Sequence, residues 1–278
     1  MTTVYPLIFK IGSFEVTGFG IMMMLAFVVG GWLVTLELRR RGWQEEYGAD
    51  VVIAAVIGGV VGAKLWYVAL TGDLNTLLSR GGLVWYGGFI GGVLAVMLNG
   101  WRRKVPVRLT AQLVAPALAA AYAVGRVGCF VVGDDYGRPT DLPWGVKFPQ
   151  GLPPSTAGNL ANLFRVPVPP TVDPSTVMAV HPTQLYEVTM MLAVFMLLWR
   201  LRLNGRPMGW LFGAYLALAG VERFLVEILR AKDDRLLGAF TLAQLTSVLV
   251  AVTGVVVMTR LAGASDPAPG DYLTRKSA

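Results

Sequence analysis

Seven stretches of this chain are apolar for long enough to cross a bilayer, and no other feature limits its fold as strongly. They lie near residues 18–36, 51–70, 83–100, 111–132, 183–200, 208–230 and 239–260, and a spanning helix needs about 20 apolar residues. In hydrocarbon every backbone N–H and C=O must be satisfied inside its own segment, so such runs read as helices. Composition agrees, with 55% of residues hydrophobic and 15% charged, against about a quarter charged in soluble domains. The expected fold is an all-α integral membrane protein of about seven transmembrane helices, one domain over residues 1–262. The first run starts near Gly18 and is too long for a signal-peptide core, so no cleavable leader is expected.

Small residues recur inside the second and third runs, at Gly58, Gly59 and Gly62 and at Gly87, Gly88, Gly91 and Gly92. That pattern suits close helix packing in lipid. A single cysteine, Cys129, excludes an internal disulfide and a cysteine-based zinc cluster. A single histidine, His181, excludes a multi-histidine metal site. Neither a metal nor an organic cofactor is expected.

The net charge of +7 is carried by short basic clusters between apolar runs. Such clusters report membrane orientation, and no nucleic-acid partner is expected. Arg39–Arg41, Arg102–Lys104 with Arg108, Arg200 with Arg202 and Arg206, and Arg260 with Arg275 and Lys276 all fall on one side. The opposite side has Lys10, Arg80, Arg138, Lys147, Arg165, Arg230, Lys232 and Arg235, spread over a longer length of chain. The positive-inside rule then places the N-terminus outside and the C-terminus in the cytoplasm. Residues 133–182 hold ten of the sixteen prolines, a density that opposes regular helix and reads as an irregular cap on the outer face. A plain tether is the alternative. From Gly263 onward the tail is polar and is expected to be flexible.

Charges inside the runs carry the functional signal, because an intramembrane charge is costly unless paired or wet. Lys64, Arg126 and Arg223 lie within spans, together with Glu187, Glu222 and Glu227. At 1.5 Å per residue, Arg126, Arg223 and Lys64 fall about 9–10 Å below the outer ends of their runs. Glu187 and Glu227 fall about 5–6 Å below theirs. Tyr86 sits one turn into the third run from the same side. This shared depth predicts a wet, positively charged pocket open to the outer surface. Arg223, Glu227 and Arg230 recur at i, i+4 and i+7, on one helix face. A set of salt bridges that only fixes packing is the plain alternative.

Two or more cations just below the headgroups suit a lipid phosphate, because guanidinium matches phosphate oxygens with paired hydrogen bonds. The carboxylates would hold the arginines or accept a proton during transfer. His181 opens the stretch His181-Pro-Thr-Gln-Leu-Tyr-Glu187 at the mouth of the fifth run. It serves either as a base or as a hydrogen-bonding anchor for the loop. Cys129 reads as a packing residue more readily than as a nucleophile.

At these residues the chain resembles the prolipoprotein diacylglyceryl transferases of the bacterial inner membrane, from about Gly18 to Leu249. The resemblance rests on His181–Glu187, on Arg223-x-x-x-Glu227-x-x-Arg230 before an Asp-containing turn, on Tyr86–Gly92 and on Gly62-Ala-Lys64. It implies a multi-pass enzyme with a periplasmic N-terminus and its site toward the outer leaflet. Its substrates would be phosphatidylglycerol and a preprolipoprotein. The diacylglyceryl group would pass to the lipobox cysteine thiol with release of glycerol phosphate. Arg126, Arg223, Tyr86 and Glu227 would take the catalytic roles. Asp134, Gly137, His181, Gln184, Tyr186, Glu187, Arg230 and Lys64, with the two arginines, would bind the phospholipid.

The signature Gly125–Gly137 departs from the family pattern Gly-Arg-x-Gly-Asn-Phe-x-Asn-x-Glu-x-x-Gly. Cys129 and Val132 stand for two asparagines and Asp134 for a glutamate; elsewhere Phe19 stands for a tyrosine and Tyr86 for a histidine. These changes keep open a divergent paralogue acting on another phospholipid or acceptor. A non-enzymatic lipid-binding membrane protein is the third reading. A transporter would show internal repeats and polar groups near the midplane, and the chain shows neither pattern.

Overall fold

A computed structural model describes residues 7–12, 14–78, 83–232, 235–237, 240–263 and 273, and each of the seven apolar runs holds one long helix. In chain order the helices are α1 (Gly18–Arg40), α2 (Glu46–Thr71), α3 (Trp85–Arg102), α4 (Val107–Val132), the short α5 (Ala157–Asn162), α6 (Thr183–Leu201), α7 (Trp210–Leu229) and α8 (Leu242–Leu261). Of these, α1, α2, α4, α6 and α8 are long and apolar enough to cross a membrane. Glu222, Arg223 and Glu227 interrupt the apolar run of α7, and α3 carries polar or amphipathic residues at both ends. On α8, Leu249, Val252, Val255 and Val256 are all exposed. Apolar faces of this extent belong in lipid, and the chain is a multi-span membrane protein. Arg80, Asp233, Asp234, Arg275, Lys276 and the tail beyond Gly263, except Leu273, lie outside the described residues.

The chain divides into two compact units. One comprises Gly30–Val114 with Pro207–Gly209 and Ala264–Ala278. Inside it α2 and α3 pack backbone to backbone: a Cβ added to Gly62 would lie 2.8 Å from the Gly91 Cα. The glycines of both runs therefore act in helix contact, which in lipid depends on close backbone approach rather than on a hydrophobic driving force. Helix α2 ends where Gly72 turns left-handed (φ 70°) and returns its N–H to the Val68 carbonyl. Tyr47 is buried, with its hydroxyl 2.6 Å from Thr110 Oγ1.

The other unit comprises Met1–Val29, Ala115–Arg206 and Trp210–Gly263. Its helical core joins Ala115, Ala119 and Ala123 of α4 to Met191 and Leu198 of α6 and Leu211 and Ala214 of α7. α8 is laid closely on α7, where a Cβ on Gly220 would lie 2.6 Å from the Ser247 carbonyl. A capping box at the start of α8, Thr241 with Gln244, satisfies its first N–H groups.

Residues 133–182 hold more order than a tether. β3 (Val146–Lys147) pairs with β4 (Ala179–Val180), and α5 is capped by Thr156. A core of Tyr136, Phe148, Leu160, Val166, Val180 and Ala231 sits beneath them, with Tyr136 and Phe148 stacked at 5.5 Å. The buried Ser155 hydroxyl accepts from Phe148 N and donates to the Met178 carbonyl. Aromatic burial thus supplies what the prolines withhold from helix formation. Two further strand pairs, β1 (Leu7–Ile11) with β2 (Phe14–Thr17) and β5 (Arg235–Leu237) with β6 (Phe240–Thr241), flank α1 and α8.

Candidate functional site

Helix α4 ends with Gly133 in the left-handed region (φ 72°), its N–H returned to the Cys129 carbonyl. Asp135 is also left-handed (φ 55°), a conformation that Asp tolerates better than most residues. Two side chains of α6 hold this turn: Thr183 Oγ1 donates to the Asp135 carbonyl at 2.7 Å, and Gln184 Nε2 donates to the Asp134 carbonyl. Gly137 N–H donates to the His181 carbonyl and Arg138 N–H to the Leu229 carbonyl, both at 2.8 Å. Gly137 has no room for a side chain: a Cβ there would lie 2.6 Å from the Leu229 oxygen and 2.7 Å from His181 Cβ. The ends of α4, α6 and α7 are thereby tied together at this glycine.

That tie brings six charges into one chain of contacts. Arg126 pairs with Glu187 through Nε and Nη2, and its Nη1 reaches Asp135 Oδ2 at 2.9 Å. Asp135 Oδ1 pairs with Arg230. Arg230 Nε lies 3.9 Å from Glu227 Oε2, and that same oxygen lies 2.5 Å from Arg223 Nη2. The last contact is an ion pair set off the hydrogen-bonding axis, since Glu227 Oε2 completes no hydrogen bond. Thr241 Oγ1 donates to the other Glu227 oxygen at 3.2 Å. Glu187 is fully buried and takes a further hydrogen bond from Tyr122 at 3.0 Å.

Sequence reasoning pointed to Arg126, Arg223, Glu227, Arg230 and Glu187, and the fold brings all five into this chain. It did not single out Asp135, Tyr122 or Thr241. Asp135 was hidden beside Asp134, which alone occupies the acidic position of the signature. The contribution of Asp134 to the turn is its carbonyl, and its Oδ1 is buried without a partner. Burial, with Asp135 beside it, pushes the Asp134 carboxyl up to about 6. Burial also acts on Asp135, but Arg230 and Arg126 outweigh it and hold that carboxyl below its ordinary value. Tyr122 lies one helical turn before Arg126, a spacing legible in the sequence.

His181 hydrogen-bonds Tyr186 through Nδ1 at 3.3 Å, and Tyr186 accepts from Trp144 Nε1 at 2.8 Å. Burial lowers the His181 pKa. Phe19 packs at Gly128, where a Cβ would lie 3.5 Å from its Cα. Cys129 Sγ accepts from Arg126 Nη1 at 3.5 Å. Cys129, Asp134 and Asp135 place ligand atoms within 4.8 Å of one another, yet the Arg126 guanidinium already donates to two of the three. Lys64 and Tyr86 belong to the other unit. Lys64 Nζ donates to the Thr76 carbonyl at 3.4 Å, and Tyr86 is exposed at the start of α3, edge-on to Trp85.

Residues 6–260 match the prolipoprotein diacylglyceryl transferase family. The chain belongs to that family. It is 31% identical over 273 residues to a phosphatidylglycerol--prolipoprotein diacylglyceryl transferase of Geobacter sulfurreducens, covering 92% of this chain and 95% of the relative. The like-named protein of Clostridium tetani is 29% identical over 261 residues, covering 91% and 96%. That of Vibrio vulnificus is 30% identical over 272 residues, covering 91% and 90%. As a member of the diacylglyceryl transferase family, the chain carries the charge cluster within the matched residues, although Cys129 and Val132 stand where the family pattern has amides.

Proposed function

We propose that this protein moves the diacylglyceryl group of phosphatidylglycerol onto the lipobox cysteine thiol of a preprolipoprotein. The observation that carries the assignment to this site is Arg223: its side chain is half-buried beside the buried Glu227, and its Nη1 is buried without a hydrogen-bond partner. A buried, unsatisfied guanidinium nitrogen is a ready donor for a phosphate oxygen.

The thiol sulfur attacks the glyceryl CH2 that carries the phosphate, a C–S bond forms, and the C–O bond breaks. Its electron pair stays on the phosphate oxygen, so glycerol phosphate leaves with one more negative charge than the lipid phosphate had. Arg126, Arg223 and Arg230, already held by Glu187, Asp135 and Glu227, stabilise that charge without reorganising during the reaction. The thiol proton passes to a carboxylate or to the departing phosphate. Gln184, Tyr186, His181 and Gly137 shape the wall of the site; Lys64 and Tyr86 enter the proposal on the depth argument alone. The protein lies in the bacterial inner membrane with its N-terminus and residues 133–182 on the periplasmic side and its C-terminus cytoplasmic. All seven long helices span, and the site opens toward the outer leaflet.

The altered signature favours a second reading, a paralogue with another phospholipid or acceptor. One assay separates the two. Purified protein in detergent, given phosphatidylglycerol and a lipobox peptide, is expected to release glycerol phosphate and form a thioether-linked lipopeptide. Bound phosphatidylglycerol with no product would favour the paralogue.

A further inference from the structure

The six-charge chain balances itself, three guanidiniums against three carboxylates. Glu222 is left over. It sits on α7 immediately before Arg223, is only 5% exposed, and its Oε1 has no hydrogen-bond partner. Tyr215 and Ala219, two turns and one turn earlier on the helix, pack on the core formed with α4 and α6. Val226, one turn later, is buried as well. The side chain thus lies on the inner face of α7, within electrostatic range of Glu187, Arg126 and Arg223. Tyr122 on α4 and Tyr215 feel it too. α8 has no ionisable residue before Arg260, and α1 has none between Gly18 and Val29. Packing does not require a carboxyl here, and a buried acceptor left unsatisfied destabilises the fold.

Adjacent residues of α7 therefore leave one buried acceptor and one buried donor open, Glu222 Oε1 and Arg223 Nη1. A headgroup that fits this pair has a phosphate for the arginine and a hydrogen-bond donor a few bonds away for the carboxyl. On the transferase reading the headgroup is glycerol, and its hydroxyls are the donors a few bonds from the phosphate. An ammonium would compete for the same carboxyl, so the test includes one. We propose that Glu222 is a specificity-determining residue, accepting a hydrogen bond from a hydroxyl of the glycerol headgroup while Arg223 binds the adjoining phosphate. The proposal rests on the transferase reading above and specifies the headgroup chemistry of the same site. A site built to hydrogen-bond a substrate hydroxyl discriminates strongly against the analogue that lacks it, because its own polar group is then stranded.

The test compares kcat/KM for phosphatidylglycerol, phosphatidylpropanol (which has no headgroup hydroxyl) and phosphatidylethanolamine, with one lipobox peptide as acceptor. Wild-type protein is expected to favour phosphatidylglycerol over phosphatidylpropanol by about tenfold or more, the worth of one hydrogen bond to a charged group. Glu222→Ala should collapse that ratio, losing at least tenfold more rate on phosphatidylglycerol than on phosphatidylpropanol. Glu222→Gln keeps an acceptor oxygen and should retain part of the preference. Equal losses on both lipids, or an unaltered ratio, would overturn the assignment and leave Glu222 a packing residue. A wild-type preference for phosphatidylethanolamine would overturn it in favour of an ammonium. No turnover of any of these lipids by the wild type would instead mark failure of the transferase reading.

Discussion

Arg126 Nη1 and Asp135 Oδ2 meet at 2.9 Å across the end of α4, and Asp135 turns its other oxygen to Arg230. One carboxylate in a left-handed turn thereby spaces two guanidiniums that the chain places over a hundred residues apart. The family pattern draws attention to the acidic residue before it; in this protein Asp135 makes the bridge.

Replacing that bridge should be more harmful than replacing its neighbour. Asp135→Asn keeps the size and loses the charge that both arginines share. Hydrogen bonds to charged groups contribute about 1.5–3 kcal/mol, so a loss of roughly tenfold or more in kcat/KM is expected. Asp134→Asn should lose less, and rates of the two variants measured side by side on phosphatidylglycerol decide it.

The arginines should separate by what they leave behind. Arg223→Ala removes a donor to the phosphate and should lower kcat by about 100- to 1000-fold, as loss of one oxyanion donor does. Arg126→Ala should do the same and also strand Glu187, which is fully buried. Breaking a buried pair costs about 3–5 kcal/mol, so thermal melting of Arg126→Ala should fall well below that of Arg223→Ala. Activity near wild type in either variant would remove the phosphate role.

Tyr122 offers a milder change. Tyr122→Phe deletes the 3.0 Å hydrogen bond to Glu187 and leaves the ring in place. A decrease in stability of about 1–3 kcal/mol is expected, with kcat reduced less than in either arginine variant. A denaturation curve beside a rate measurement tests both parts.

Asp134 gives the protein a pH dependence of predictable sign. Its folded-state pKa, about 6, lies above the ordinary value of 3.8, so ionisation is harder in the folded protein. Its favourable contribution is complete below pH 3.8 and is lost as pH rises through about 6. Asp134→Asn should therefore melt higher than wild type above pH 6, with the difference closing by about pH 4. Melting curves across that range that stay parallel would contradict the burial argument.

Gly137→Ala probes the tie between helix ends. The new methyl would press on the Leu229 carbonyl and on His181, and overpacking of this kind costs about 1–3 kcal/mol. Turnover should fall along with melting temperature, because Gly137 forms an antiparallel backbone bridge with Arg230 and lies two residues after Asp135.

The helices were legible in the sequence because hydrophobic length is a local property. A run that must satisfy its backbone in lipid has few alternatives to helix, so α1–α4 and α6–α8 follow from composition and order. Arg126, Arg223, Glu227 and Glu187 were legible too, since a charge in an apolar run stands out before any fold is known. The order within residues 133–182 was not, because its core is assembled from aromatic and aliphatic residues far apart in sequence. Tertiary structure alone decided the pairing of the charges. Asp135 and Asp134 are equivalent by composition, and only the left-handed turn held by Thr183 and Gln184 directs one of them to Arg126 and Arg230. Likewise Glu222 differs from Glu227 only in the helix face it occupies relative to α4 and α6. That difference leaves Glu227 in an ion pair with Arg223 and Glu222 outside the described ion pairs.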